Sequence, residues 1–240
     1  MVKKIAIYAL VAIGVLVAGG AAAMLMSSNA TSIPATTTNK PAGGKNAEEI
    51  MTQLLSPSME NAPALGSKDA KVTIVEFGDY QCTWCHNWHE STKNAVMTDY
   101  VATGKARFLF KDYPINDLAD RASSKAAEAS YCAADQGKYW EYHDTLYKNW
   151  KGENTGWVTR DALGQFAKDA GVSDMPAFSK CLDSGQYASL VKDNYDLARS
   201  IGLDATPSFI LIADGQIPKL LRGAYPYSTF EGVINDLSKN

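Results

Sequence analysis

The chain has 240 residues, 46% of them hydrophobic, and a formal net charge of −3, enough for one core of ordinary domain size with an appended subdomain. Its Lys and Arg residues are scattered after Lys3-Lys4, which excludes a nucleic-acid partner held through bulk charge. Four cysteines are too few for a disulfide scaffold and suit one working pair plus one structural bridge.

The first element is Ile5–Met26, 22 residues without a charge. About 20 apolar residues span a bilayer core, so residues 1–26 read as a signal-anchor transmembrane helix. Lys3 and Lys4 precede it and no Lys or Arg follows before Lys40. That asymmetry places the N-terminus in the cytoplasm and the rest of the chain outside, on the periplasmic or cell-surface side. The competing reading is a cleavable signal with Ser28-Asn29-Ala30 at the cleavage site; its apolar region is usually shorter than this one. Both readings export the domain to a compartment where disulfides persist.

Residues 27–62 form a linker. Ser27 to Gly44 holds almost no large apolar residue and reads as a flexible tether. Ala47 to Leu55 follows as a short helix stopped by Pro57. The folded domain spans 63–240, opening near Pro63.

Lys71–Phe77 is the clearest strand, β-branched and bounded by glycines. A helix follows from Thr83 to Val101, with Trp84, Trp88, Ala95 and Val96 near helical spacing, and Ala106–Tyr113 is a second strand stopped by Pro114. From Leu118 to Ile201 the pattern is helical throughout, punctuated at Gly152–Gly156 and Gly171–Pro176. Pro207–Ile212 is a strand, Asp214-Gly215 a hairpin turn, Gln216–Leu221 its partner and Tyr227–Leu237 a closing helix. The order β-α-β, helical block, β-β-α indicates an α/β sheet. The block, about 117–202, is too long for a connection and reads as an inserted helical subdomain.

Cys82-Thr83-Trp84-Cys85 falls between the first strand and its helix. A cysteine at a helix N-terminus meets unpaired N–H groups and the helix dipole, both of which favour the thiolate. Cys85, one turn deeper, is placed to resolve a mixed disulfide formed at Cys82. The same residues with His86 spell the haem-attachment pattern C-x-x-C-H, but small c-type cytochromes are helical and this motif sits in β-α-β. Zinc held by Cys82, Cys85, His86 and His89 would crowd all four ligands onto one helix start, and no metal site is assigned.

Val72-Thr-Ile-Val-Glu-Phe-Gly-Asp-Tyr-Gln-Cys82, Gln136-Gly-Lys-Tyr-Trp-Glu-Tyr-His143 within the insertion, and Ala205-Thr-Pro-Ser-Phe209 together resemble the DsbA-like branch of the thioredoxin superfamily, over roughly Pro63 to Asn240. The resemblance implies a thioredoxin-like fold interrupted by a helical domain, and dithiol–disulfide exchange with exported cysteine-containing proteins without a bound cofactor. It also implies a membrane quinone-linked reoxidising partner, DsbB-like or VKOR-like. Many relatives carry Pro after the first cysteine where this chain has Thr83. In that superfamily the two central residues tune the potential, so the resemblance implies the exchange chemistry, and Thr83 bears on its direction.

By the same resemblance, Thr206-Pro207 is the loop whose cis Pro207 faces the cysteine pair, with Thr206's backbone presented to an extended peptide. An ordinary trans proline opening an edge strand is the alternative. Glu76 lies inside an otherwise apolar strand; burial there would raise its pKa and let it exchange protons with Cys85. Lys111 is a candidate partner for it, and a solvent-facing strand-end charge is the bland alternative for Glu76. With the redox pair assigned, Cys132 and Cys181 remain as a structural disulfide. His143 reads as a packed helix histidine, and Trp88, Trp140, Trp150 and Trp157 as packing residues.

The combined expectation is a membrane-anchored enzyme that oxidises cysteine pairs in exported proteins. A reductase or isomerase of the same fold, a c-type haem electron carrier and a non-catalytic binding module are the alternatives.

Overall fold

In the computed structural model, residues 46–239 are described; the expected signal-anchor helix and the Ser27–Gly44 tether lie outside them. Among the described residues, no helix is long and apolar enough to cross a membrane.

Strand β1 (Val72–Gly78) is buried on both faces, which explains its nearly unbroken apolar run. It pairs in parallel with β2 (Ala106–Asp112) and antiparallel with β3 (Ser208–Ala213), and β4 (Lys219–Arg222) closes the order β2-β1-β3-β4. Helix α1 (Ala47–Leu55), assigned with the linker from its sequence, packs Leu54 into the cluster around Val75, Phe77, Leu109 and Ile210. Asn46 and Glu49 close its capping box.

After β1 comes α2 (Thr83–Trp88), which runs into a π turn (His89–Lys93), a short α3 (Asn94–Val96) and a second π turn (Met97–Val101). The continuous helix expected over Thr83–Val101 is therefore widened and underwound twice. Trp88 is fully buried against Phe209 (4.6 Å between rings), Phe230 (5.6 Å) and Phe108 (6.2 Å). Trp84, grouped with it by spacing, is instead 62% exposed. It lies in the first turn of α2, whose buried residues are Cys85 and Trp88.

Five helices separate β2 from β3: α4 (Ala122–Ala134), α5 (Tyr139–Lys148), α6 (Arg160–Asp169), α7 (Met175–Ser184) and α8 (Ala188–Ser200). Helix α8 returns to lay Leu197 and Ala198 on the sheet face of Val75 and Phe77, while α9 (Tyr227–Leu237) lays Phe230 and Ile234 on the other face. The block is not helical throughout. Residues 149–159 are irregular, with left-handed φ at Gly152 (110°), Asn154 (55°) and Gly156 (78°), conformations that favour glycine and asparagine. The hairpin strand expected at Gln216–Leu221 starts later, at Lys219: the Gln216 N–H closes the turn on the Ala213 carbonyl (3.2 Å), and Pro218 has no N–H to give to a ladder.

Cys132 on α4 and Cys181 on α7 are bonded, with Cα atoms 5.8 Å apart and a sequence separation of 49. Closing a loop of that length removes roughly 4 kcal/mol of unfolded-chain entropy. Replacing both residues by alanine is expected to lower stability by up to about that amount, read as a fall in the urea midpoint. An unchanged midpoint would show that the α4–α7 contact holds without the bridge.

Candidate active site

The turn that follows β1 builds the site. Gly78 ends the strand where a Cβ would lie 2.5 Å from the Phe110 ring, so only glycine fits. Asp79 then ties the turn: its Oδ1 accepts from the Gln81 N–H (2.8 Å), its Oδ2 from the Asn116 N–H (2.8 Å), and its carbonyl from the Cys82 N–H (3.0 Å). Burial, only partly offset by these hydrogen bonds, pushes its carboxyl up to about 6. Tyr80 points inward, its hydroxyl 3.0 Å from His143 Nδ1.

Cys82 is the N-cap of α2, and its sulfur accepts from the Cys85 N–H at 3.4 Å. As a thiol it donates to the Thr206 carbonyl (3.3 Å). The Thr206–Pro207 peptide is cis, and Ser208, the next residue, pairs with Phe77, so β3 delivers this loop to the end of β1 beside Cys82. The Thr206 hydroxyl is buried with no other partner among the described residues and is a donor available to the thiolate. A hydrogen bond from Cys85, then Thr206 and the Cys85 N–H, outweigh burial and lower Cys82 to about 7. Cys85 is fully enclosed. Burial first, then the neighbouring Cys82 and Glu76, drive its pKa well above the usual thiol value. Both sulfurs are buried, Cys82 at 4% and Cys85 at 0% exposure, and they are divided into an ionisable one at the helix start and a protonated one a turn deeper.

Glu76 pairs with Phe110 and Phe209, and so faces the same side of the sheet as Trp88 and the cysteines. Burial pushes its carboxyl up to about 8, Lys93 opposes this, and Cys82 adds to it. Lys111 is not its partner. It stands in register with Phe77, and side chains one residue apart on a strand face opposite ways. It reaches the other layer, donates to the Ser56 carbonyl (2.9 Å), and is lowered to about 8 by burial. The cation that favours the Glu76 carboxylate is Lys93, from the first π turn, a residue the sequence reading did not single out.

The irregular 149–159 stretch reaches the same helix start. Trp150 donates its indole N–H to the Gln81 carbonyl (2.9 Å) and stacks on His86 with ring centroids 4.4 Å apart. Glu153 accepts from the Thr83 N–H (3.3 Å), and Asn154 accepts from the Gln81 side chain (3.3 Å). His86 is therefore turned onto Trp150 and Cys85 is enclosed, so the C-x-x-C-H residues present no shared face on which thioether bonds and an axial ligand could meet a macrocycle. Asp79 and Glu153 were missed, and Trp150 was read only as a packing residue. Asp79 had a signal, since Gly-Asp between a strand and a helix is turn chemistry; the other two come from a loop about 70 residues away and left none.

Residues 58–236 match the family model described as Thioredoxin. Disulfide bond formation protein D of Bacillus subtilis is 30% identical over 152 residues, covering 63% of this chain and 68% of the relative. The oxidised BdbD structure from Bacillus subtilis superposes with a TM-score of 0.67 at 27% identity, covering 77% of this chain and 96% of that one. The alpha-DsbA1 structure of Wolbachia pipientis shares the fold with a TM-score of 0.65 at 22% identity, covering 78% and 94%.

Glu76 gives the reduced protein a pH signature. Its folded pKa of about 8 lies above the ordinary 4.5, so the folded state keeps a proton the unfolded chain releases, and stability falls as pH rises between those values. Asp79 and Asp112, both at about 6, tilt the curve the same way below that. Glu76→Gln is expected to gain stability over the unaltered protein, by a few kcal/mol, as pH moves from near 4.5 to near 8. Denaturant curves at the two pH values test this; a difference that does not change with pH would contradict it.

Proposed function

The chain belongs to the thioredoxin family as a DsbA-like protein-disulfide oxidoreductase, and we propose that it oxidises cysteine pairs in exported proteins through Cys82 and Cys85. The observation that carries this reading is the division of the pair: Cys82 at the helix start, lowered to about 7, over an enclosed, protonated Cys85.

A substrate thiolate attacks Cys82 Sγ of the Cys82–Cys85 disulfide. The disulfide breaks, a substrate–Cys82 mixed disulfide forms, and the electron pair leaves on Cys85. Cys85 needs a proton at once, and Glu76, neutral near pH 7, holds one beside it. The second substrate thiolate then attacks the substrate sulfur, and Cys82 departs as a thiolate stabilised by the α2 N-terminus and Thr206. The substrate loses two electrons and the enzyme pair gains them. A low leaving-group pKa at Cys82 favours the reduced enzyme and hence the oxidising direction. Thr206 and Pro207 frame the site where an extended peptide would lie, and Cys132–Cys181 braces the helical insertion.

The relatives named for disulfide bond formation support the oxidising role. The sequence of residues 1–26 supports a membrane anchor that holds the 63–240 domain outside the cytoplasm, with 27–62 as tether and a membrane quinone-linked protein, DsbB-like or VKOR-like, restoring the disulfide.

Cys85→Ser is expected to accumulate mixed disulfides with substrate through Cys82, and Cys82→Ser to abolish exchange, as read by non-reducing gels of a reduced model substrate. The equilibrium potential against glutathione is expected above about −270 mV, thioredoxin's value. Trapping through Cys85 would overturn the mechanism; a potential at or below thioredoxin's would overturn the oxidising direction alone.

A further inference from the structure

A second cluster lies where the first π turn packs on α5. One donor atom from each of His89, His143 and Asp144 lies within 4.8 Å of the others. His143 commits Nδ1 to the Tyr80 hydroxyl (3.0 Å) and leaves Nε2 buried, without a partner among the described residues. His89 turns Nε2 to the Asp144 carboxylate (3.2 Å) and Nδ1 toward Glu90 (3.9 Å). His143 thus shows the pattern of a metal-ligating histidine, one nitrogen held by an outer partner and the other left for a ligand, and His89 presents Nε2 to the same space, shared there with Asp144 and Lys93.

A cation is already at hand. The Lys93 ammonium bonds to Asp144 and lies 2.9 Å from His89 Nε2. It is a tethered charge on a flexible stem and can leave. We propose that His89, His143 and Asp144 form a site for a borderline divalent cation of the Zn2+ class, which enters in exchange for the Lys93 ammonium. Two imidazoles and one carboxylate suit such ions, and three protein ligands leave a position open. Metal–ligand bonds of about 2.0–2.1 Å set tetrahedral donors roughly 3.4 Å apart. His89 and Asp144 already meet that spacing, and Asp144, 56% exposed, supplies both the remaining adjustment and the path of entry.

This site differs from the zinc arrangement of Cys82, Cys85, His86 and His89 considered from the sequence, and does not depend on the exchange reaction. The test therefore uses the full chain with both cysteine pairs oxidised, so that no thiolate competes. Zn2+ is titrated against a chromophoric chelator, and Co2+ absorption reports the ligand type. One Zn2+ per chain is expected, with a Co2+ spectrum free of sulfur charge-transfer bands. His89→Gln and Asp144→Asn, both reaching the surface, should each weaken binding by about tenfold or more. Lys93→Met should tighten it by a similar factor, because the competing ammonium is gone. Circular dichroism confirms that each variant is folded. No binding at millimolar Zn2+, or affinity indifferent to His89→Gln and Asp144→Asn, would overturn the site. Unchanged or weaker binding by a folded Lys93→Met would overturn the exchange with lysine.

Discussion

The Cys82 sulfur occupies the position where a helix requires an acceptor, and the Cys85 N–H meets it at 3.4 Å. Ser, Thr, Asp or Asn would ordinarily cap there with oxygen. With sulfur in that place, ionisation completes the cap, so helix geometry and thiol chemistry favour the same state. Much of the surrounding structure serves to hold that sulfur at the helix start. Gly78 lets the strand end against Phe110, Asp79 clamps three backbone N–H groups in the turn, and β3 brings Thr206 to the other side of the thiol.

Burial then differentiates the two cysteines and supplies the proton donor. Glu76 sits on a strand covered on both faces, next to aromatic partners rather than hydrogen-bonding ones. A carboxyl in such a place prefers to be neutral, which suits a group that must meet a fully enclosed thiolate as it is released. Lys93 moderates that preference from the helix side. The first π turn is what carries Lys93 and His89 together toward α5, in line with the frequent occurrence of such widened turns near functional sites. The helical insertion is also part of the redox site, because its irregular loop hands Trp150 and Glu153 back to residues 81–86.

Local signals carried well and distant ones did not. The run Val72–Gly78 was legible because a doubly covered strand is apolar along its length, and α1 because Pro57 stops a short helical segment after a tether poor in apolar residues. The cysteine pair was legible from spacing and from its place between a strand and a helix. Trp84 shares its helical spacing with Trp88, and periodicity alone could not tell that the first is 62% exposed and the second fully buried. Lys111 was paired with Glu76 from proximity in the strand order, whereas register, which a single sequence does not fix, sends it to the opposite layer. Lys93 and Glu153 carry no local mark, since their roles arise from tertiary contacts that bring remote segments together.

The central claim is that one helix start separates the two thiols into a ready thiolate and a protected thiol. Titration of the reduced protein by ultraviolet thiolate absorbance, with Cys82→Ser and Cys85→Ser alongside, measures this most directly. The account predicts one inflection near pH 7, assigned to Cys82, and no second thiolate until well above the ordinary value of 9. Two thiols titrating together near 9, or an inflection near 7 that survives Cys82→Ser, would contradict it.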